Sequence, residues 1–249
     1  MRGGTAVRCV LCWRTAAITR EGAKISPILK RVLQLLILVA VQAAVLFLCA
    51  GSLRWPAGWW YMGLYFVLLL CGAIILLPNR AEVIAERSRG TSGGRRWDIW
   101  ITRLMAVPTL GLLALAGFDE RWNLTPPLPA WARVFGPLAF AAGYAIVLWA
   151  MHSNQYFSQV VRIQAERGHA TVMSGPYRFI RHPGYLGMAI SLLGAVFLLD
   201  TIWGQVCFAI YLVLIITRTA WEDRMLRAEL PGYSEYAART RYRLFPGLW

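Results

Sequence analysis

The polar residues of this chain concentrate in two segments next to its last two apolar runs. The first segment extends from His169 to Gly187 and contains two of the three histidines. Within it, Pro183 stands where the following apolar run should begin a helix, because proline is favoured at the first helical position. A helix N-terminus presents unpaired N–H groups and a partial positive charge, so it can hold an anionic group. We also expect Gly184 and Gly187 to let a ligand approach the backbone closely.

The second segment follows the other apolar run and carries Arg218 and Glu222. On a helix these two residues are four positions apart and share one face. The two apolar runs, 184–199 and 202–217, are separated by only two residues and therefore predict a helical hairpin. Because a hairpin returns its ends to the same side, the two polar segments should surround one pocket with an apolar floor. Such convergence is typical of a ligand site.

Taken singly, each of these residues also has a structural explanation. Arginines beside a membrane commonly anchor a helix, and an Arg218–Glu222 pair would most often be a surface ion pair that contributes little. His182 alone could be an interfacial histidine, and we interpret His152 as structural. The combination of the residues, rather than any one of them, favours a functional site.

The composition predicts a membrane protein. Hydrophobic residues make up 58% of the chain and charged residues only 15%, whereas a soluble domain has roughly 25% charged residues. This excludes an ordinary soluble domain and a disordered chain. The net charge of +14 comes from basic residues that flank apolar runs, which indicates membrane orientation and contact with membrane lipids rather than nucleic-acid binding.

Six apolar runs predict an all-α polytopic membrane protein of about five to six transmembrane helices. It would end in a C-terminal helical hairpin and carry a cytoplasmic cofactor pocket. The first four runs lie within residues 32–151, after a basic N-terminal tail of residues 1–31. The loops 80–96 and 162–181 hold five and four basic residues, and the alternate loops hold few. This asymmetry predicts that both termini and the active site are cytoplasmic, most simply at a bacterial inner membrane.

No metal site is predicted. Cys9 and Cys12 form a CxxC in the tail, but they supply only two of the four ligands of a structural zinc site. The other three cysteines lie inside apolar runs and are typical of small packing residues.

The segment from about residue 160 to 249 resembles the membrane methyltransferases related to isoprenylcysteine carboxyl methyltransferase, with phospholipid methyltransferases as more distant relatives. The signal is RHPxYxG followed about 40 residues later by RxxxE, then YxxY and a terminal proline. The matching residues are Val160, Val161, His169 to Val172, Ser174, Gly175, Tyr177, Arg181, His182, Pro183, Tyr185, Gly187, Arg218, Glu222, Tyr233, Tyr236 and Pro246. On this resemblance, residues 152–249 form the methyltransferase region.

The resemblance implies S-adenosyl-L-methionine as the methyl donor, bound at the cytoplasmic face. It also assigns roles to individual residues. The catalytic residues would be Arg218 and Glu222, and Arg218 would face the methyl acceptor. The donor would be bound by His169, Ala170, Thr171, Val172, Tyr177, His182, Pro183, Gly184, Tyr185 and Glu222.

The acceptor stays open at this point: a carboxylate of the isoprenylcysteine type or a lipid head group would both fit. The chain has only Glu222 and Asp223, followed by Arg224, where the eukaryotic members have an acidic run, and Arg162 stands where they have glutamine. Two other functions compete. One is an NADPH-dependent sterol-reductase-like enzyme; such enzymes resemble HxNYxGE at this point, where Pro183 and Met188 replace the Asn-adjacent and Glu features. The other is a non-enzymatic lipid-binding membrane protein.

Overall fold

The computed structural model describes residues 26–249, and the regular structure in this range is entirely helical. Residues 1–25 of the predicted basic tail, which include Cys9 and Cys12, lie outside the described residues. The first helix begins at Pro27, inside the range assigned to the tail, and the Ser26 hydroxyl caps it by accepting the Leu29 N–H at 3.3 Å. The α-helices are α1 (Pro27–Ala50), α2 (Pro56–Asn79), α3 (Ala81–Arg87), α4 (Arg96–Trp122), α5 (Ala132–Ser153), α6 (Pro183–Leu198), α7 (Gly204–Glu229) and α8 (Tyr233–Arg239).

Five of these helices are long and apolar enough to cross a membrane: α1, α2, α4, α5 and α7. The all-α, multi-pass prediction is therefore confirmed. The sixth predicted run is α6, which begins at Pro183 as expected. Its 16 residues extend about 24 Å at 1.5 Å per residue, less than the roughly 30 Å of a bilayer core.

Helix α6 packs closely against α5 through glycines. A Cβ atom on Gly143 of α5 would lie 2.5 Å from the Gly187 carbonyl oxygen, and one on Gly194 of α6 would lie 2.2 Å from the Phe140 nitrogen. Gly136 makes the same kind of approach, to the Leu198 nitrogen at 2.5 Å. Small residues let membrane helices come into backbone contact. Because its neighbours cover it in this way, α6 can stay shorter than a full span.

The loops with most of the basic residues gather at one end of the bundle. There, the Arg80 Nε donates to the His152 carbonyl at 2.6 Å, and the Arg95 N–H donates to the Val161 carbonyl at 3.1 Å. At the other end, the Leu128 N–H donates to the Asp200 carboxylate at 2.7 Å. We call the end formed by residues 80–95, 154–182 and 230–249 the basic face. The two polar segments meet on this face.

Candidate functional site

Arg181 and Asp223 fasten the two polar segments to each other. The Arg181 guanidinium donates to both carboxylate oxygens of Asp223, at 2.7 and 3.1 Å, and both side chains are almost fully buried. Arg181 Nη1 also donates to the backbone carbonyls of Thr240 and Arg241 at 2.8 and 2.9 Å. One arginine therefore joins the start of α6, the end of α7 and the C-terminal segment.

Asp223 is a structural hub rather than a free acid. Besides Arg181, it accepts hydrogen bonds from Arg227 and Arg243, both at 3.1 Å, and from the Tyr233 hydroxyl at 3.0 Å. Burial and the Asp223 carboxylate raise the pKa of Tyr233 well above its ordinary value, so this hydroxyl remains a donor. Because three guanidinium groups neutralise Asp223, its charge is not available to a ligand.

Glu222, the neighbouring residue, has a different environment. Its carboxylate accepts a hydrogen bond from the Tyr185 hydroxyl and lies 4.0 Å from His182 Nδ1. The rings of His182 and Tyr185 are parallel, with centroids 5.6 Å apart. Within residues 26–249 no arginine or lysine pairs with Glu222. The result is a partly exposed carboxylate beside two aromatic faces, which suits a cationic ligand.

Arg218 does not pair with Glu222, as a surface ion pair would require. Its Nε and Nη2 atoms donate to the two oxygens of Asp98 at 2.7 and 3.1 Å. Nη2 also donates to the Gln159 carbonyl at 2.9 Å. The guanidinium carbon lies 4.9 Å from the centre of the Tyr185 ring. Arg218 thus supports the ring that in turn holds Glu222, and its predicted role toward an acceptor stays a prediction.

The loop after α5 forms the opposite wall through its own hydrogen bonds. Gln164 is fully buried, and its side-chain amide donates to the Tyr156 carbonyl at 2.6 Å. The backbone N–H of Gln164 donates to Nδ1 of His169 at 3.2 Å. Burial, reinforced by the charges of Arg162 and Arg167, lowers the pKa of His169 to about 4. His169 is therefore neutral near pH 7, with its proton on Nε2 because Nδ1 accepts.

These elements enclose one pocket on the basic face, which we call the polar pocket. Nine of the ten residues predicted to bind the donor line it, and so does Arg218; Pro183 does not line it. Its lining residues are Asn154, Tyr156, Phe157, Ser158, Val160, Val161, Arg162, His169, Ala170, Thr171, Val172, Tyr177, Arg181, His182, Gly184, Tyr185, Arg218, Glu222, Leu226, Leu230, Tyr233 and Tyr236.

The prediction for Gly187 was wrong, and that for Gly184 has a different physical basis. Gly187 faces α5, where an added Cβ would lie 2.6 Å from the Gly143 carbonyl oxygen, so its size serves helix packing. Gly184 lines the pocket, but a Cβ there would lie 2.7 Å from the Phe157 ring. A protein ring, not a ligand, already occupies the space beside Gly184.

Sequence reasoning missed the residues that support the site from a distance. Asp98 is fully buried, and besides Arg218 it binds the Val161 N–H at 2.6 Å. Glu86 pairs with Arg162 at 2.8 Å. The available signal was an acid in each of two helices, Asp98 in the first turn of α4 and Glu86 in the last turn of α3, since a buried acid needs a partner.

The lining suits a cationic ligand that carries an aromatic ring. Glu222 offers a carboxylate for a positively charged group, and Tyr177 and His182 offer aromatic faces for a cation or a ring. The start of α6 offers less to an anion than the sequence predicts. The His182 N–H donates to the Arg243 carbonyl at 2.9 Å and the Tyr185 N–H to the His182 carbonyl at 3.1 Å, and Pro183 has no N–H, so within residues 182–185 only Gly184 retains an N–H for a ligand. Across residues 26–249, His, Cys, Asp and Glu side chains do not form a group of three or more that could hold a metal ion.

Residues 137–228 match the sequence model of the isoprenylcysteine carboxyl methyltransferase (ICMT) family. This range covers most of α5, the loop that follows it, α6 and nearly all of α7, which together build most of the polar pocket. It does not include α1 to α4, so Asp98 and Glu86 lie outside the matched segment. The recognition of an ICMT-like sequence is confirmed for this part of the chain.

Three curated proteins are similar in sequence to part of this chain. Two are the "Probable protein-S-isoprenylcysteine O-methyltransferase" of Oryza sativa subsp. indica and subsp. japonica. Each is 34% identical over 89 residues, which are 35% of this chain and 47% of the relative. The third is the "Cobalt-zinc-cadmium resistance protein CzcN" of Cupriavidus metallidurans, 32% identical over 137 residues, or 54% of this chain and 58% of that protein. The chain spans about half the length of the curated relatives that it matches.

Proposed function

We propose, from the ICMT-like sequence of residues 137–228 and the polar pocket that it builds, that this protein is an S-adenosylmethionine-dependent methyltransferase acting on a lipophilic acceptor in the membrane. The observation that carries the proposal is the environment of Glu222. It is a carboxylate without an arginine partner in the described chain, beside the parallel rings of His182 and Tyr185. A cationic donor is the ligand for which this arrangement is suited.

Within the pocket, we assign the ammonium or ribose of the donor to Glu222 and its sulfonium to the aromatic ring of Tyr177, because the Tyr185 ring already contacts the Arg218 guanidinium and the His182 ring. Residues 169–172 and Tyr177 form the remaining wall. The neutral state of His169 avoids placing another positive charge beside a cationic ligand. Tyr177 is fixed because its hydroxyl accepts from the Asn154 amide at 3.2 Å and its carbonyl accepts from the Tyr236 hydroxyl at 2.7 Å.

The chemistry favours a carboxylate acceptor over an amine. The bound donor supplies an electrophilic methyl group: an acceptor oxygen forms a bond to the methyl carbon as the carbon–sulfur bond breaks, which leaves a neutral ester and a thioether. A carboxylate needs no base for this, whereas an amine must lose a proton. The chain contributes positioning, which can supply much of the rate. Arg218 stands at the base of the pocket, where Nη1 is the nitrogen it does not use for Asp98 or Gln159.

The membrane setting supports a lipophilic acceptor, either a prenylated cysteine or another lipid acid. The helices α1, α2, α4, α5 and α7 are long and apolar, and the polar pocket lies at their basic ends. We propose that this face is cytoplasmic, in a bacterial inner membrane, because basic loops are retained on that side. A lipid whose reactive head lies at this surface would reach the pocket from within the bilayer.

The proposal is tested by incubating the purified protein with membrane lipid extract and donor labelled in its methyl group. We expect label in the lipid fraction that is released as methanol by mild base, because methyl esters hydrolyse easily. Label that resists base would indicate methylation of an amine head group instead. An absence of labelled lipid in samples that bind the donor would contradict methyl transfer to a lipid.

A further inference from the structure

A second cavity lies beside the polar pocket, between α1, α2, α3 and α5. We call it the lateral cavity; its walls are mostly aliphatic side chains, and it encloses about 290 Å³. Ile28, Val32 and Leu77 line it and are 39 to 44% exposed on the outer surface of the bundle. Since α1 and α2 are long and apolar enough to span a membrane, we expect this rim to face the bilayer.

The inner end of the lateral cavity is cationic. Arg31 of α1 and Arg87 of α3 both line it, together with the polar side chains of Tyr65, Tyr144 and Gln159. Neither arginine forms an ion pair with a carboxylate of residues 26–249. Arg87 Nη1 is buried and finds no acceptor among the described residues. A buried guanidinium nitrogen without a partner is costly, so an anion bound in the cavity would stabilise it.

The electrostatics of Arg87 agree with this geometry. Burial, and after it the charge of Arg31, lower the pKa of Arg87 to about 9. Arg87 is still positively charged near pH 7, but burial and the neighbouring charge of Arg31 destabilise its charged form. A bound anion would relieve both the desolvation and the repulsion between the two guanidinium groups.

The cationic end lies against the polar pocket. The Arg87 guanidinium carbon is 5.5 Å from the centre of the Phe157 ring, and Phe157 lines the polar pocket. Gln159 lines the lateral cavity, and its carbonyl accepts from Arg218. Residues 157–159 therefore border both spaces, with Phe157 lining the polar pocket and Gln159 lining the lateral cavity, so a group held at Arg87 lies next to the polar pocket.

We infer that the lateral cavity binds the chain of a lipophilic carboxylate, and that Arg87, assisted by Arg31, holds its carboxylate beside the polar pocket. The inference rests on the proposed function in taking this carboxylate to be the methyl acceptor. The mostly aliphatic walls of the cavity suit a hydrocarbon chain. The methyl ester would be neutral and would lose its attraction to Arg87, which favours product release into the bilayer.

The test measures binding without turnover, on the full chain in phosphatidylcholine nanodiscs. The probe is 11-(dansylamino)undecanoic acid, compared with its methyl ester, and binding is followed by dansyl fluorescence. We expect the wild type to bind the acid at least tenfold more tightly than the ester. Arg87→Gln should weaken the acid at least tenfold and leave the ester unchanged, and Arg87→Lys should recover part of the affinity.

Arg89→Gln is the matched control, because Arg89 is two residues away and exposed and does not line the cavity; its acid affinity should stay at the wild-type value. Arg31→Gln is the second variant, expected to weaken the acid at least threefold, and it decides the matter if Arg87→Gln does not fold. Equal binding of acid and ester, or wild-type acid affinity in the folded arginine variants, would overturn the inference. Displacement of the probe by phosphatidylglycerol but not by oleate would make the cavity a phospholipid site and would also overturn it.

Parallel titration with S-adenosylmethionine separates this inference from the proposed function. Arg87→Gln should bind the donor as the wild type does, because Arg87 does not line the polar pocket. A wild type that binds the acid but not the donor would overturn the proposed function and leave the carboxylate site standing. A wild type that binds the donor but does not distinguish the acid from the ester would overturn the carboxylate site and leave the proposed function standing.

Discussion

Arg218 and Asp98, which are 120 residues apart in the chain, form a buried bidentate ion pair between two helices. Asp98 is in the first turn of α4, and Arg218 is in α7. Because the Arg218 guanidinium also contacts the Tyr185 ring, this pair supports one wall of the polar pocket. Its effect can be separated from the chemistry of the pocket by measuring stability.

Breaking the pair on one side should be strongly destabilising. Arg218→Met and Asp98→Asn should each lower the free energy of unfolding by about 3–5 kcal/mol, because each leaves an unpaired buried partner. The double variant should lose clearly less than the sum of the two. Unfolding in detergent, followed by tryptophan fluorescence, measures all three.

The exposed pair Arg95–Glu229 is the control for this cycle, since both of its side chains are at least 40% exposed. The coupling energy between Arg95 and Glu229 in the same kind of double-variant cycle should be about 0–1 kcal/mol. Additive losses at Arg218 and Asp98 would show that the two residues act independently and that the pair does not support the site.

The glycine contact between α5 and α6 should be intolerant of a single methyl group. Gly143→Ala would place its Cβ 2.4 Å from the Ser191 nitrogen, so the helices must separate. We expect a loss of about 1–3 kcal/mol and a weaker donor affinity, because Tyr185 lies in α6 and His182 directly precedes it. Gly63→Ala on α2, where a Cβ meets nothing within 4 Å, should have little effect. Equal behaviour of the two variants in unfolding and in donor titration would contradict the packing account.

His169 should make stability depend on pH in a defined window. Its pKa is about 4 in the folded chain and about 6.5 when unfolded. Between these values the unfolded state binds more protons, so stability is complete above pH 6.5 and falls as the pH drops toward 4. His169→Gln should flatten this part of the curve of melting temperature against pH. A wild-type curve that does not differ from the variant between pH 4 and 6.5 would show that His169 is solvated.

The basic face should lie on the cytoplasmic side. In a cysteine-free background, Ser52→Cys should react with a membrane-impermeant maleimide in intact cells, and Arg178→Cys only after the membrane is opened. Both positions are exposed, at opposite ends of the bundle. Labelling of Arg178→Cys in intact cells would place the polar pocket outside the cell and contradict the proposed orientation.

The sequence was informative where one local pattern determines one element. Uninterrupted apolar runs predicted the long helices, and Pro183 predicted the start of α6. The hairpin geometry brought residues 169–185 and 218–222 together, because it depends only on the short connection between α6 and α7.

Contacts between distant parts of the chain could not be predicted in this way. The partner of Arg218 is Asp98 rather than Glu222, since a buried guanidinium pairs with the carboxylate that folding brings nearest, not with the one four residues away. Gly187 was assigned to a ligand because its sequence neighbours are polar, but α5 occupies that space. The lateral cavity depends on four helices meeting, and no local pattern indicates it.

The central claim is that the polar pocket binds S-adenosylmethionine through Glu222, and calorimetric titration of the purified full chain tests it most directly. The wild type should bind the donor and not NADPH. Glu222→Gln, which removes the negative charge, should bind the donor at least tenfold more weakly, about 1.4 kcal/mol. Glu235→Gln, at an exposed position of α8, should bind like the wild type. Donor affinity that is unchanged in folded Glu222→Gln, or a wild type that binds NADPH instead of the donor, would contradict the account.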